Sequence, residues 1–167
     1  MDAKLAAGLL WTVYHLLEGL VLLLIPRWLR YKPIDGEVVL VTGSGSGLGR
    51  HLALRFARLG ARLVLWDLSP EPNEETARLV RAAGGQAWAY SCDVSDREAV
   101  YRLAEQVRKD VPDPVSILVN NAGVVNGERL LATPDEAIIR TLQVNTMSHF
   151  WVSDILSCCG LDREPTI

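Results

Sequence analysis

A glycine-rich loop carries the clearest chemical signal in this chain. Residues 42–49 read TGSGSGLG, between the apolar run VVLV and the helical pattern RHLALRFARLG. Gly43 permits a tight turn after a strand, Gly47 lets backbone approach a phosphate, and Gly49 lets a helix pack close to the sheet. Because a helix N-terminus also presents free N–H donors and a partial positive charge, the loop predicts a pyrophosphate-binding site.

An acidic residue at the end of the second predicted strand supports this interpretation. Asp67 follows Gly49 by 18 residues, close to the spacing of about 20 at which a carboxylate meets the adenosine ribose hydroxyls. A carboxylate there repels a 2′-phosphate, and neither Ser44 nor Ser46 is basic, so NAD is favoured over NADP. The alternative interpretation of Asp67 is a solvated loop acid.

Alternating apolar runs and helical segments are predicted to position these residues. Near-continuous apolar strands separated by helices indicate a parallel sheet with helices on both faces. The fold class is therefore α/β, a doubly wound parallel sheet of Rossmann type, expected to stop after about four strands. The apolar runs are Val38–Val41, Leu63–Trp66, Gln86–Tyr90 and Val115–Val119.

Several helix boundaries and one buried face can also be predicted. Ser95 followed by Glu98 has the spacing of a capping box, in which two side chains satisfy free N–H groups reciprocally. Thr133 and Glu136 repeat that spacing, with Pro134 expected at the first helical position. In the helix after the glycine loop, helical spacing predicts a buried stripe of Leu48, Leu52, Phe56 and Leu59.

The composition excludes several classes of protein. The 167 residues carry a formal net charge of −3 and are 49% hydrophobic. These values argue against disorder and against a nucleic-acid-binding surface, and the length allows one domain plus an appendage. The cysteines, Cys92, Cys158 and Cys159, have no zinc-ligand spacing. We therefore expect no metal site and a domain that faces a reducing cytosol.

The start of the chain contains a long apolar segment. His15 and Glu18 are the residues that can be charged near neutral pH among the 21 of Leu5–Ile25, which is about the length that crosses a bilayer. The segment is followed by a basic cluster at 27–32. This distribution of positive charge predicts that the following domain lies on the cytosolic side. We therefore predict membrane attachment through residues 5–25.

The mode of attachment stays open because one side of this helix is polar or small. A stripe of this kind favours a helix that lies in the membrane interface or packs against a partner. A buried helix of a soluble domain is the remaining alternative, disfavoured by the length of the segment. At the roughly 100° per residue of an α-helix, the stripe contains Lys4, Gly8, Trp11, His15, Glu18 and Gly19.

Four motifs together resemble those of the short-chain dehydrogenase/reductase family. They are TGSGSGLG at 42–49, CDVS at 92–95, NNAG at 120–123 and Asn145 within QVNTMSHFW. Further stretches, including GLGRHLALRFARLGARLVLWD and VSILVNNAGVV, are similar to the membrane-anchored retinol dehydrogenases and 17-beta-hydroxysteroid dehydrogenases. The resemblance extends roughly from Gly36 to Val152.

The resemblance implies an NAD-dependent oxidoreductase that interconverts a lipophilic alcohol and its carbonyl, such as a retinoid or a hydroxysteroid. Asp93 and Val94 would contact the adenine ring, and Asn120, Ala122 and Gly123 would line the adenosine and ribose wall while bracing the sheet. The alternative interpretation of Asn120 and Asn121 is a simple turn after the fourth strand. The implied cofactor site comprises Thr42, Gly43, Ser46, Gly47, Leu48, Gly49, Asp67, Asp93, Val94, Asn120, Ala122 and Gly123.

The apolar segment, the polar linker after it and the resemblance together predict a division of the chain and a location. The location is the endoplasmic reticulum membrane or a lipid droplet, with the domain facing the cytosol. The expected parts are an anchoring segment at 1–30, a linker at 31–37, an NAD(P)-binding domain at 38–152 and a divergent tail at 153–167.

The catalytic set of this family is only partly matched. Asn145 matches the active-site asparagine, which helps to hold a water in the proton relay. The family also uses a serine, and a tyrosine whose phenol, with a pKa ordinarily near about 10, is assisted by a lysine four residues later. No Tyr-x-x-x-Lys occurs in the 167 residues, and Tyr101 is followed four residues later by Glu105. We therefore expect this chain by itself to be inactive.

Three functional hypotheses follow from these observations. The first is a catalytically incomplete form of a membrane-bound dehydrogenase for lipophilic alcohols. The second is a non-catalytic nucleotide-binding protein that associates with a full-length relative and regulates it. The third is a chain with no stable role that is degraded, since a fourth strand left as an apolar sheet edge is an aggregation liability.

Overall fold

The computed structural model describes residues 3–24, 33–127 and 129–160. The chain divides into two compact units, Met1–Pro33 and Ile34–Ile167. The first contains helix α1, Ala3–Leu24, which covers the predicted apolar segment except Ile25. That residue, the basic cluster at 27–32 and the last seven residues of the tail lie outside the described residues. Across the described ranges, no helix combines the length and the apolar character needed to cross a membrane.

Two polar side chains of α1, His15 and Glu18, contact each other. His15 Nδ1 lies 2.9 Å from Glu18 Oε2. The ring of Trp11 packs edge-on against His15, with 4.3 Å between ring centroids. The Thr12 hydroxyl donates to the Gly8 carbonyl, as side chains one helical turn apart allow. His15 and Glu18 therefore form a local pair on one side of the helix.

The second unit is built on a parallel sheet of four strands in the order β3-β2-β1-β4. The central strand β1 pairs with β2, Val38 lying opposite Arg62, and with β4, Val39 lying opposite Ile117. The predicted parallel sheet is confirmed, and β4 lies at one edge of it. The strands are β1 Val38–Thr42, β2 Arg62–Asp67, β3 Ala87–Ser91 and β4 Ile117–Val119.

Helices cover both faces of this sheet. On one face Val39 packs with Ala53 of the first helix after the glycine loop. On the other, Leu40 and Trp66 pack with Val100. Successive residues of β1 thus enter opposite cores, which confirms the doubly wound architecture. The helices are α2 Gly47–Arg58, α3 Pro70–Ala82, α4 Arg97–Asp110, α5 Asp135–Leu142 and α6 Ser148–Gly160, with a π-helical turn at Gln143–Met147 between the last two.

The predicted capping box at the start of α4 is wrong. The N-cap residue is Asp96, whose side chain accepts a hydrogen bond from the Ala99 N–H at 3.1 Å. The Ser95 hydroxyl instead donates to Asp93 Oδ1 at 2.6 Å. Because that bond engages the serine, the neighbouring carboxylate caps the helix.

The second predicted capping box does not form either. The N-cap position of α5 is occupied by Pro134, no side chain caps the helix, and Asp135 is the first helical residue. The Thr133 hydroxyl donates backward to the Arg129 carbonyl at 3.0 Å. This local turn engages the hydroxyl and shifts the proline one position ahead of the predicted place.

The predicted buried stripe of α2 is corrected as well. Leu48 and Leu59 are 67% and 45% exposed, whereas the fully buried positions of this helix are Gly49 and Ala53. Phe56 is half-buried against the apolar core. The helix lies so close to the strand ends that small residues, not leucines, occupy the innermost positions.

Candidate cofactor site

The carboxyl ends of the strands surround a cavity of about 410 Å³. The strand order reverses at this point, because β2 lies on one side of β1 and β4 on the other. Doubly wound sheets bind their ligands at such a reversal. Most of the predicted site residues line it, namely Gly43, Ser46, Gly47, Leu48, Gly49, Asp67, Asp93, Val94, Ala122 and Gly123.

Three glycines of the loop are needed for different physical reasons. Gly43 and Gly47 have φ angles of +66° and +50°, in the left-handed region that favours glycine. A Cβ atom at Gly49 would lie 2.0 Å from the Gly43 carbonyl oxygen. At Gly47, by contrast, a Cβ would meet nothing within 4 Å. Gly49 therefore permits close packing of α2, while Gly47 leaves the cavity open beside the backbone.

The start of α2 presents N–H groups to the cavity. Ser46 is the N-cap residue, in an extended conformation, and its side chain makes no capping hydrogen bond. The Arg50 N–H donates to the Ser46 carbonyl at 3.1 Å, closing the first turn. The N–H groups of Gly47, Leu48 and Gly49 precede that bond and have no intrahelical acceptor. Together with the helix dipole, they suit an anionic ligand.

Asp67 is fixed by two backbone donors. Its Oδ2 accepts a hydrogen bond from the Gly45 N–H at 2.8 Å, and its Oδ1 accepts one from the Ser69 N–H at 2.8 Å. These bonds hold the half-buried carboxylate at the cavity beside the glycine loop. Each carboxylate oxygen retains a further lone pair, so hydroxyl donors of a ligand can still be accepted.

Asp93 and Arg140 form an ion pair in the cavity lining. Arg140 Nη2 lies 3.5 Å from Asp93 Oδ2, and the Ser95 N–H donates to Oδ1 at 2.9 Å. Burial raises the pKa of Asp93, but the hydrogen bonds from Ser95 and the nearby guanidinium outweigh it and lower the pKa below its usual value. Beside it, burial followed by the charges of Asp93 and Asp96 raises the pKa of Cys92 to about 12. That thiol stays protonated at neutral pH.

Thr42 lies behind the cavity wall rather than in its lining. Its hydroxyl oxygen accepts hydrogen bonds from the N–H groups of Asn121 and Ala122, both at 3.0 Å. The Asn121 side chain returns the connection by donating to the carbonyls of Thr42 and Gly43, at 2.9 and 3.0 Å. The ends of β1 and β4 are thus fastened together at the glycine loop.

Asn120 and Asn145 also lie outside the cavity lining. The Asn120 amide donates to the Ser153 hydroxyl at 3.3 Å, so the bracing contacts belong to Asn121 and not to Asn120. Asn145, in the π-helical turn, accepts from the Val124 N–H and donates to the Val124 carbonyl, both at 2.8 Å. Asn145 therefore holds the backbone that follows the cavity wall, and its catalytic role stays a prediction.

Sequence reasoning missed three contributors to this site. Asn121 follows Val119 by two residues, and strand alternation alone places it on the α2 face, toward the glycine loop. Arg140 lines the cavity, but an arginine in an amphipathic helix gives no signal of that. Arg50 reaches the back of the loop through contacts with α3 that no local pattern shows.

The fold and this cavity define a dinucleotide-binding domain of the doubly wound α/β class. The family model described as short chain dehydrogenase matches residues 37–159. Human epidermal retinol dehydrogenase 2 is 51% identical over 141 residues, which cover 84% of this chain and 45% of that protein. The chain therefore belongs to the short-chain dehydrogenase family. It spans about half the length of the curated relatives it matches.

Solved structures of the family have the same fold. A short-chain dehydrogenase/reductase from Burkholderia phymatum in complex with NAD matches with a TM-score of 0.72 and 32% identity, covering 77% of this chain and 46% of that one. A metagenomic short-chain oxidoreductase in complex with NADP matches with a TM-score of 0.71 and 29% identity, covering 77% and 58%.

Proposed function

We propose that this chain is the cofactor-binding part of an NAD-dependent dehydrogenase that interconverts a lipophilic alcohol and its carbonyl, of the retinoid or hydroxysteroid class. One observation carries the proposal: the free N–H groups at the start of α2, the open backbone at Gly47 and the carboxylate of Asp67 line one cavity. The likeness to a retinol dehydrogenase supports the substrate class.

The residues present fit a nicotinamide dinucleotide. The N–H groups of residues 47–49 would bind the pyrophosphate, and Asp67 would accept the adenosine ribose hydroxyls. Asp93 and Val94 would meet the adenine ring, while Ala122 and Gly123 would form the ribose wall. The bound dinucleotide would supply the hydride acceptor or donor of the reaction.

NAD is proposed over NADP because of charge. Two carboxylates, Asp67 and Asp93, line the cavity, and Asp67 lies beside the glycine loop. A 2′-phosphate on the ribose would bring further negative charge to Asp67. The cation in the described lining, Arg140, lies against Asp93, which partly neutralises it. Titration of each cofactor by calorimetry tests the proposal, and tighter binding of NADP to the unmodified chain would overturn it.

We propose that the 167-residue chain alone does not turn over its substrate. Asn145 is held by the Val124 backbone, but the chain contains no Tyr-x-x-x-Lys to transfer the proton. The purified chain, given NAD and retinol or a hydroxysteroid, should produce no NADH above background. Asn145→Ala serves as the control for a contaminating enzyme. Oxidation that the unmodified chain supports and Asn145→Ala abolishes would contradict the proposal.

Membrane attachment through residues 5–25 is the second part of the proposal. The segment forms helix α1, whose exposed side chains include Trp11, Leu16 and Leu20. We propose that it attaches the domain to the endoplasmic reticulum membrane or to lipid droplets, with the domain facing the cytosol. A reporter fused to residues 1–36 should localise there. Glycosylation of acceptor sites placed after residue 36 would show the opposite orientation.

A regulatory partnership with a full-length relative is the second candidate function. The observation that favours it is the position of β4 at the sheet edge, where Ile117, Leu118 and Val119 are only half-buried. An apolar edge strand with free backbone groups is suited to pairing with another chain. Co-expression with a full-length retinol dehydrogenase tests it, and co-purification that is lost on Leu118→Lys is the expected result. If the full-length retinol dehydrogenase does not co-purify with the unmodified chain, this function is excluded.

A further inference from the structure

A cluster of buried polar side chains lies behind the glycine loop. Ser44 and Thr76 are 0% exposed and Asn73 is 1% exposed. Burying polar groups costs free energy unless each is hydrogen-bonded. Here each makes hydrogen bonds to another group of the loop, of α3 or of a strand end, so the cluster is a complete network.

The network ties α3 to the loop and to two strands. The Ser44 hydroxyl donates to Asn73 Oδ1 at 2.7 Å. Asn73 Nδ2 donates to the carbonyls of Leu65 and Tyr90, at 2.9 and 3.0 Å. The Thr76 hydroxyl donates to the Ser44 carbonyl at 3.0 Å. The beginning of the loop is therefore fixed by groups outside the cavity.

Arg50 completes the network from α2. Its Nε donates to Thr76 Oγ1 at 3.0 Å, and its Nη2 donates to the carbonyls of Gly45 and Pro72. Because the Gly45 N–H donates to Asp67 at 2.8 Å, Gly45 is held through both its N–H and its carbonyl. One arginine thus links the loop, α2 and α3.

We propose that Arg50, with Asn73 and Thr76, positions the glycine loop so that the N–H groups at the start of α2 stay directed into the cavity. None of these three side chains lines the cavity, so they act through Gly45 and Ser44 and not by contact with a ligand. The inference rests on the proposed dinucleotide site. It adds that the affinity of this site depends on α3, because a loop held in its binding shape loses less entropy on binding.

The test compares matched variants by their affinity for NAD. Thr76→Val keeps the shape of the side chain but removes both its donor and its acceptor, whereas Thr76→Ser keeps the hydroxyl. Val80→Ala, in the same helix α3 and 0% exposed in the apolar core, destabilises the domain without touching the network. Calorimetry gives the dissociation constant, and urea unfolding gives the stability of each variant.

We expect Thr76→Val and Arg50→Met to weaken NAD binding by about tenfold, the effect of losing one charge-assisted or buried hydrogen bond. Thr76→Ser and Arg50→Lys should retain most of the affinity. Val80→Ala should lower stability and leave the affinity of the folded protein unchanged. Hydrogen exchange should show faster exchange of the Gly45 N–H in Arg50→Met than in Val80→Ala.

Three outcomes would overturn the inference, and they are distinguishable. If Arg50→Met and Thr76→Val bind NAD as tightly as the unmodified chain, the network is only structural and the proposed function stands. If the unmodified chain is folded and binds no NAD, the proposed function fails and the inference fails with it. Affinity that falls equally in Val80→Ala would also contradict a specific role for the network.

Discussion

The Asp67 carboxylate accepts a hydrogen bond from the Gly45 amide at 2.8 Å. The residue proposed to select the cofactor therefore also fixes the loop proposed to bind its phosphates. A substitution that removes the carboxylate of Asp67 entirely changes two properties together: the charge beside the proposed ribose site and the shape of the loop. Separating them requires variants that remove one and keep the other.

Asp67→Ala removes both properties. The ribose hydroxyls lose a charge-assisted acceptor worth about 1.5–3 kcal/mol, and the Gly45 N–H loses its partner. We expect NAD to bind at least tenfold more weakly and the gap between NAD and NADP to narrow. Asp67→Asn keeps an oxygen that can accept from Gly45 but removes the charge. Asp67→Asn should reduce the difference in affinity between NAD and NADP with a smaller loss of NAD affinity, as measured by calorimetry.

A glycine-to-alanine substitution in the glycine loop is predicted to cost more stability than the same substitution at an open position. At Gly49 an alanine methyl would lie 2.0 Å from the Gly43 carbonyl oxygen, so α2 has to move away from the strand end. Gly49→Ala should lower the free energy of unfolding by about 1–3 kcal/mol and abolish NAD binding. Gly127→Ala, where a Cβ meets nothing within 4 Å, is the control. Equal urea midpoints for the two variants would contradict this account of the packing.

The sequence predicted the parts of this site that depend on local conformation. Gly43 and Gly49 occupy the turn and the helix–strand contact that the motif requires, and the four strands lie within a few residues of the apolar runs. The prediction failed where the partner of a side chain is set by tertiary contacts. Ser95 bonds Asp93 instead of capping α4, and the cavity receives Arg140 from a helix 47 residues beyond Asp93. Such choices depend on distances that only the folded chain sets.

The hydrogen bonds from Ser95 to Asp93, together with its ion pair with Arg140, predict a pH dependence of stability. Because the folded-state pKa of Asp93 lies below 3.8, the ionised carboxylate stabilises the fold at pH values above 3.8. This contribution is lost as the pH falls from about 5 through the folded-state pKa. Asp93→Asn should therefore lose less thermal stability over this interval than the unmodified chain.

Arg140→Gln is the matched variant for this experiment. It removes the guanidinium but leaves the hydrogen bonds from Ser95, so its loss of stability at low pH should be intermediate. Since Arg140 and Asp93 are 48% and 34% exposed, the difference should shrink as salt is added. A thermal-denaturation series in which all three proteins change in parallel between pH 5 and pH 3 would refute the assignment.

Removing the hydroxyl of Thr42 is predicted to destabilise the fold more than the small change in side-chain shape suggests. The hydroxyl oxygen of Thr42, a residue that is 2% exposed, accepts from the N–H groups of Asn121 and Ala122, so Thr42→Val leaves two half-buried donors without their acceptor. We expect the free energy of unfolding to fall by about 1–3 kcal/mol, although valine has nearly the same shape. Thr42→Ser should lose much less. Urea unfolding of the two variants measures the contribution of the hydroxyl separately from that of the methyl group.

The strand order sets when the cavity can be completed during synthesis. The sheet order β3-β2-β1-β4 lets residues up to Ser91 form three paired strands before β4 has left the ribosome. The glycine loop can therefore take shape early, but the wall at 121–123 arrives only when β4 inserts on the free side of β1. A nascent chain has no complete cavity until then, so a ligand of this cavity can stabilise it only late in translation. Before that point β1 has an unpaired edge, which can pair with another chain.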